Sequence, residues 1–283
     1  MKYMSFCLLA LSSFLLLGAA PEGTGAEADL GPLTMDYSHV PWPPPEQLLG
    51  DLRATEDEVR GRALALIGVP EKLGSNDFGA IDETMLRYAT LGDNEALQAI
   101  VGVRQGPMVF GAVAAQKGNR WERIAAFSCW CKYEKGDLLR EVIRVVPAPG
   151  VSEELVLRAS GGGTGIYSQQ ETRFRYLRGA LQPVFTFVSH RRTCEPARAF
   201  CEVERRWFHV HYWDAVAGGV LMESHFKIFP SADPGLELNS VRELETAHAR
   251  NFSCKTYRWD VARVRYVPFA APTDPCTPRA QPK

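Results

Sequence analysis

From about residue 84 onward, apolar and polar side chains alternate with a period of two, the pattern of strands with one face buried. The alternation runs through TMLRYAT (84–90), ALQAIVGVRQ (96–105), MVFGAVAAQ (108–116), RWERIAAFSCWCKYE (120–134), LREVIRVVP (139–147) and EELVLRAS (153–160). It continues through TRFRYLR (172–178), LQPVFTFVSHR (181–191), EVERRWFHVHYWD (202–214), GVLMESHFKIF (219–229) and TYRWDVARVRYVPF (256–269). Glycine-bearing turn signals such as KGN, KGD, APG, GGG and AGG separate these runs. In TRFRYLR the alternation puts Arg173, Arg175 and Leu177 on one side, and Phe174 and Tyr176 on the other.

Ahead of the strands the period is helical. Val59, Ala63, Leu66 and Ile67 fall near helical spacing, Thr55 stands three residues before Glu58 as in a capping box, and Gly68 and Pro70 end the run. The spacing predicts a helix over 56–67, with a shorter one over 46–52 and one further turn over 242–250. VPWPPP (40–45) predicts a stiff extended connector. The lack of sustained strand–helix alternation disfavours a doubly wound α/β fold. The predicted class is mainly β, an antiparallel sandwich or incomplete propeller-like body with a small N-terminal helical segment.

At the N-terminus Lys2 precedes an apolar run from Phe6 to Leu17 and then small residues, the layout of a secretory signal peptide. Cleavage is expected after Ala20, or as late as Ala28. The expected organisation is a signal peptide over 1–20, a proline-rich linker over 21–48, a helical head over 49–75, a β-rich domain over 84–270 and a proline-rich tail over 271–283. The mature protein is expected to be secreted or periplasmic, without a membrane association once the signal is removed.

MLRYATLGDNEALQAIVGV (85–103) is similar to the strand, Asp-rich turn and strand unit of FG-GAP/VCBS-type β-propeller repeats. SEELVLRASGGGTGIYSQQETRFRYLRGALQPVF (152–185) resembles a second such unit. KTYRWDVARVRYV (255–267) resembles the Tyr-x-Trp-Asp strand that closes modules of uncharacterised exported bacterial proteins, and LLGDLRATEDEVRGRALALIG reads like a single degenerate HEAT-type helix. The resemblance covers about half the mature chain and implies a non-catalytic surface or periplasmic role. A calcium turn of that family needs several carboxylates. TLGDN offers only Asp93, with Thr90 and Gly92 where others would stand, so no calcium site carries over.

Charge is close to balanced, 32 Lys+Arg against 33 Asp+Glu, which provides no global field for nucleic acid. A 46% hydrophobic, 10% aromatic composition supports a packed core. Beyond the signal, Cys129, Cys131, Cys194, Cys201, Cys254 and Cys276 form an even set that in an oxidising compartment predicts disulfides and no free thiols. Cys194–Cys201 closes the shortest loop, Cys254–Cys276 would tie down the tail, and the pairing stays open.

SGGGTGIY (160–167) has the look of a phosphate cradle. It lacks the Gly-Lys-Ser/Thr of a P-loop, and the downstream TRFRYLR alternates like a strand rather than opening a helix, so it predicts a strand-to-strand turn. His209 and His211 share one strand face and would need a third ligand, from His225, His190, Glu204 or Asp214, to hold zinc or copper. No Gly-x-Ser-x-Gly, His-Glu-x-x-His or paired-carboxylate signature occurs. The expectation is therefore a non-catalytic protein without cofactor that binds an unknown protein or small ligand. Its expected surface is Gly161, Gly162, Gly163, Tyr167, Trp207 and Trp213. The alternative is a metal-binding protein or metal-dependent enzyme built on His209 and His211.

Overall fold

The computed structural model describes residues 33–70, 80–92, 96–131, 139–163, 166–195, 200–213, 216–228 and 252–270. The fold is mainly β, as the alternation predicts: two antiparallel sheets with a small helical cap. The first sheet contains β1 (Thr34–Asp36), β2 (Val40–Trp42), β3 (Glu83–Ala89), β4 (Gln98–Gln105), β5 (Met108–Lys117) and β6 (Arg120–Trp130). Its order is β1-β6-β5-β4-β3, with β2 also pairing β6. The second is an eight-stranded meander of β7 (Ile143–Ala148), β8 (Val151–Gly163), β9 (Ile166–Leu177), β10 (Ala180–Glu195), β11 (Phe200–Trp213), β12 (Val216–Ile228), β13 (Phe252–Asp260) and β14 (Arg265–Pro268).

The helical cap is α1 (Pro45–Leu52) and α2 (Asp57–Leu66), and a single turn, α3 (Leu139–Val142), leads into β7. Pro45 starts α1 where a missing N–H costs nothing. Two details differ from the pattern-based expectation. Thr55 does not cap α2; Glu56 holds that position in an extended conformation without a side-chain cap. The connector expected at 40–45 contains β2, and β1 lies earlier in the expected 21–48 linker; both pair along β6.

The first sheet is buried on both faces, which is why β4 and β5 read as nearly continuous apolar runs. Ala99, Val101, Phe110 and Ala112 pack beneath Leu48, Leu52, Leu64 and Ile67 of the helices. Ile100, Val109, Val113 and Phe127 face the second sheet, meeting Leu155, Leu157, Phe174 and Tyr176. The predicted division of β9 is therefore realised, since Phe174 and Tyr176 lie in the core between the sheets. The opposite face of β8–β10 is covered by the far end of the same sheet. β13 and β14 fold back so that Tyr266 and Trp259 reach Arg175 of β9, rolling the meander around a second, aromatic-rich interior without closing it into a barrel.

Within SGGGTGIY, Gly162 pairs with Tyr167 and Gly163 with Ile166 where β8 meets β9; residues 164–165 lie outside the described residues. A Cβ on Gly162 would lie 2.1 Å from the carbonyl oxygen of Ile166 and 2.9 Å from the Tyr167 Cα, so glycine is required there by the approach of the paired strand.

Candidate ligand site at the mouth of the rolled sheet

The arginines of β9 inside the roll are organised by one carboxylate. Glu154, on the face of β8 opposite Leu155, is fully buried and accepts hydrogen bonds from Arg173 Nη1 (3.0 Å), Arg175 Nε (2.6 Å) and the Tyr266 hydroxyl (2.7 Å). Arg175 Nη2 also donates to the Pro149 carbonyl (2.9 Å) and to Tyr266 Oη (2.8 Å). Its guanidinium lies 3.7 Å over the Trp259 ring. Two guanidinia thus share one buried carboxylate, and Arg175 Nη1 has no hydrogen-bond acceptor among the described residues. Burial drives the Tyr266 hydroxyl far above the ordinary phenol range, and the Glu154 charge beside it adds to the shift.

Trp259 carries this cluster to the surface. At the end of the roll where the β7–β8, β9–β10 and β13–β14 turns gather, a cavity of about 330 Å³ opens against it. The walls include Gly150, Arg178, Gln182, Gly219, Arg258 and Val264. Mouths of rolled or barrel sheets are recurrent places for small-molecule sites, and the volume lies within the usual range.

The backbone at this rim is unusual. Among the described residues, Arg178 (φ 53°) and Val264 (φ 52°) are the non-glycine residues with positive φ, and both line the cavity. Arg178-Gly179 (φ 53° and 85°) spans a two-residue hairpin loop whose favoured pair is Asn-Gly. A β-branched residue such as Val264 is still less suited to that region. Outliers of this kind concentrate where function dictates the residue.

The residues singled out from the sequence lie elsewhere. Gly161, Gly162 and Tyr167 are at the opposite end of β8 and β9, about 40 Å of strand contour from the mouth. There Tyr167 packs edge-on against His190 (5.4 Å) and accepts from Gln169 (2.6 Å). Trp207 is half-buried on β11. Gly163, Trp213, His209 and His211 lie in strands of the meander, but their side chains are outside the described residues. Strand alternation places Glu204 on the face of β11 opposite positions 209 and 211; its carboxylate is hydrogen-bonded to His225 Nε2 (2.9 Å) and Arg206. Among the described residues no group of three or more His, Cys, Asp or Glu is placed to hold a metal ion. Asp93, Asp214 and the expected turn at 242–250 fall outside the described residues.

The cysteine expectation needs correction. Cys129 and Cys131 are free thiols, both buried between the sheets, with sulfurs 3.5 Å apart and each near the Arg158 carbonyl (3.4 and 3.5 Å). They sit on the core-facing side with Phe127, while Trp130 between them is exposed. The Cys131 neighbour and burial push the Cys129 thiol well above its ordinary range, so it stays protonated and unreactive. Cys254, on β13, is disulfide-bonded to a sulfur outside the described side chains. Cys194 and Cys201 stand directly opposite in the β10–β11 register, with their side chains likewise outside the described residues, as is Cys276.

Sequence reasoning missed Arg178, Trp259 and Val264. The Tyr-x-Trp-Asp run marks Trp259 only as part of a strand, and nothing in the alternation shows that distant turns share one end of a roll. A larger cleft of about 540 Å³ beside Arg53, Arg60, Asp82 and Glu83 borders on residues 71–79, outside the described residues, so its walls are incompletely described. Compared with known protein families, curated proteins and solved structures, the chain matches none.

Proposed function

We propose that this chain is an exported β-rich binding protein, not an enzyme, and that it takes a small ligand into the mouth of its rolled second sheet. The observation that carries this reading is the convergence of the hairpin turns, with their two strained non-glycine residues, on one cavity floored by Trp259. A merely structural end of a sheet would use glycine or asparagine at those turns, whereas a site requires particular side chains there. The role for export rests on the basic and apolar N-terminal pattern of the sequence.

Saturation-transfer NMR with a panel of small aromatic fragments tests the site. Val261 lines the cavity and is 74% exposed, so Val261→Trp obstructs the mouth without entering the core. Fragments that bind the wild type should lose their signal with this variant. Equal signals from both proteins would place the binding elsewhere and end this reading.

A further inference from the structure

We propose that the ligand of the mouth is a planar organic anion, its flat apolar part laid on Trp259 and its charge held by Arg178 and Arg258; this rests on the binding role proposed above. Two observations lead to the sign of the charge. The described walls of the cavity include two arginines, Arg178 and Arg258, and no acidic residue; Asp214 and Ala215, between β11 and β12, lie outside the described residues. Neither guanidinium has a carboxylate partner among the described residues: Arg258 only overhangs the Phe269 ring at 5.7 Å, and the nearby Asp260 is engaged with Arg263 at 3.7 Å.

The preference for a planar group comes from Trp259. One side of its indole is already occupied by the Arg175 guanidinium at 3.7 Å, and Tyr266 meets it at a 70° angle. A cation on one side draws on the same ring quadrupole that a second cation would need, so the remaining surface favours an electron-rich flat group over a cationic one.

Arg178 gives this proposal a variant that separates binding from folding. At φ 53° beside Gly179 the position favours asparagine, so Arg178→Asn suits the turn better than the native residue while removing the charge. Calorimetric titration with 2-naphthoate, 2-naphthamide and 2-(aminomethyl)naphthalene reads the selectivity on one shared ring system. The naphthoate should bind about tenfold more tightly than the amide, with the amine weakest. Arg178→Asn should weaken the naphthoate about three- to tenfold, leave the amide unchanged, and melt at the same temperature as wild type or higher. If the amide or amine binds the wild type as tightly as the naphthoate, the anionic class is wrong while the site stands. If none of the three binds, or if naphthoate binds Val261→Trp equally well, the site and the anion fall together.

Discussion

Glu154→Gln is the substitution to which the rolled sheet should be most sensitive. The exchange keeps the shape of the side chain and removes its charge. Arg175 and Arg173 are 0% and 3% exposed, so neither can turn to water for compensation. Their hydrogen bonds to Glu154 (2.6 and 3.0 Å) lose the ionic acceptor, and the amide presents an N–H group toward donors that cannot accept. Breaking a buried ion pair from one side costs about 3–5 kcal/mol, a large part of the ~5–15 kcal/mol by which domains are stable. In urea, with m of about 2–3 kcal/mol/M, the midpoint should fall by about 1–2 M. The variant Glu154→Leu/Arg173→Met/Arg175→Met removes all three charges and should recover most of the loss, because an apolar replacement of a buried charge cluster is close to neutral. A loss under about 1 kcal/mol for Glu154→Gln, or a triple variant no more stable than the single one, would refute the hub.

Gly162→Ala places a Cβ 2.1 Å from the Ile166 carbonyl and should destabilise by about 1–3 kcal/mol in a melting assay; an unchanged melt would contradict the close approach of β8 and β9. His190 is held down to about 4 by burial and then by Arg205, Arg192 and Arg158. The unfolded chain therefore takes up its proton first, and stability should fall from about pH 6.5 to pH 4, a decline that His190→Gln should lessen in urea titrations at fixed salt. Glu204 is lowered to about 2, chiefly by the His225 hydrogen bond and then by Arg206. Its contribution is complete above about pH 4.5 and is lost as pH falls toward 2, so Glu204→Gln should flatten that acid limb. Differential alkylation with mass spectrometry should label Cys129 and Cys131 only after unfolding; labelling in the native protein would contradict their burial, and no labelling after unfolding would contradict their being free.

Strands such as β9 were legible because the core between the sheets takes every second side chain, Phe174 and Tyr176 against Arg173 and Arg175, whereas β4 and β5, buried on both faces, show near-continuous apolar runs. The fate of those arginines was not legible, since alternation reports that they leave the first core and not that β14 returns to cover them. TYRWDVARVRYVPF reads as one strand, whereas Val264 turns it into a β13–β14 hairpin. No propensity rule anticipates a β-branched residue at positive φ. The cysteines show the converse: their count suggested bonds, but the strand register turned Cys129 and Cys131 into the dry core as thiols. The site itself depends on which turns meet in space, information that lies in the long-range pairing of the meander.

The most direct test of a ligand site in the mouth is an amide-resolved NMR titration of the isotopically labelled protein with 2-naphthoate. Shifts should gather at Gly150 and Val151, at Leu177–Leu181, at Gly219 and through Arg258–Val264. Shifts gathered instead around Gly161–Tyr167, or spread without focus over both sheets, would contradict a site in the mouth.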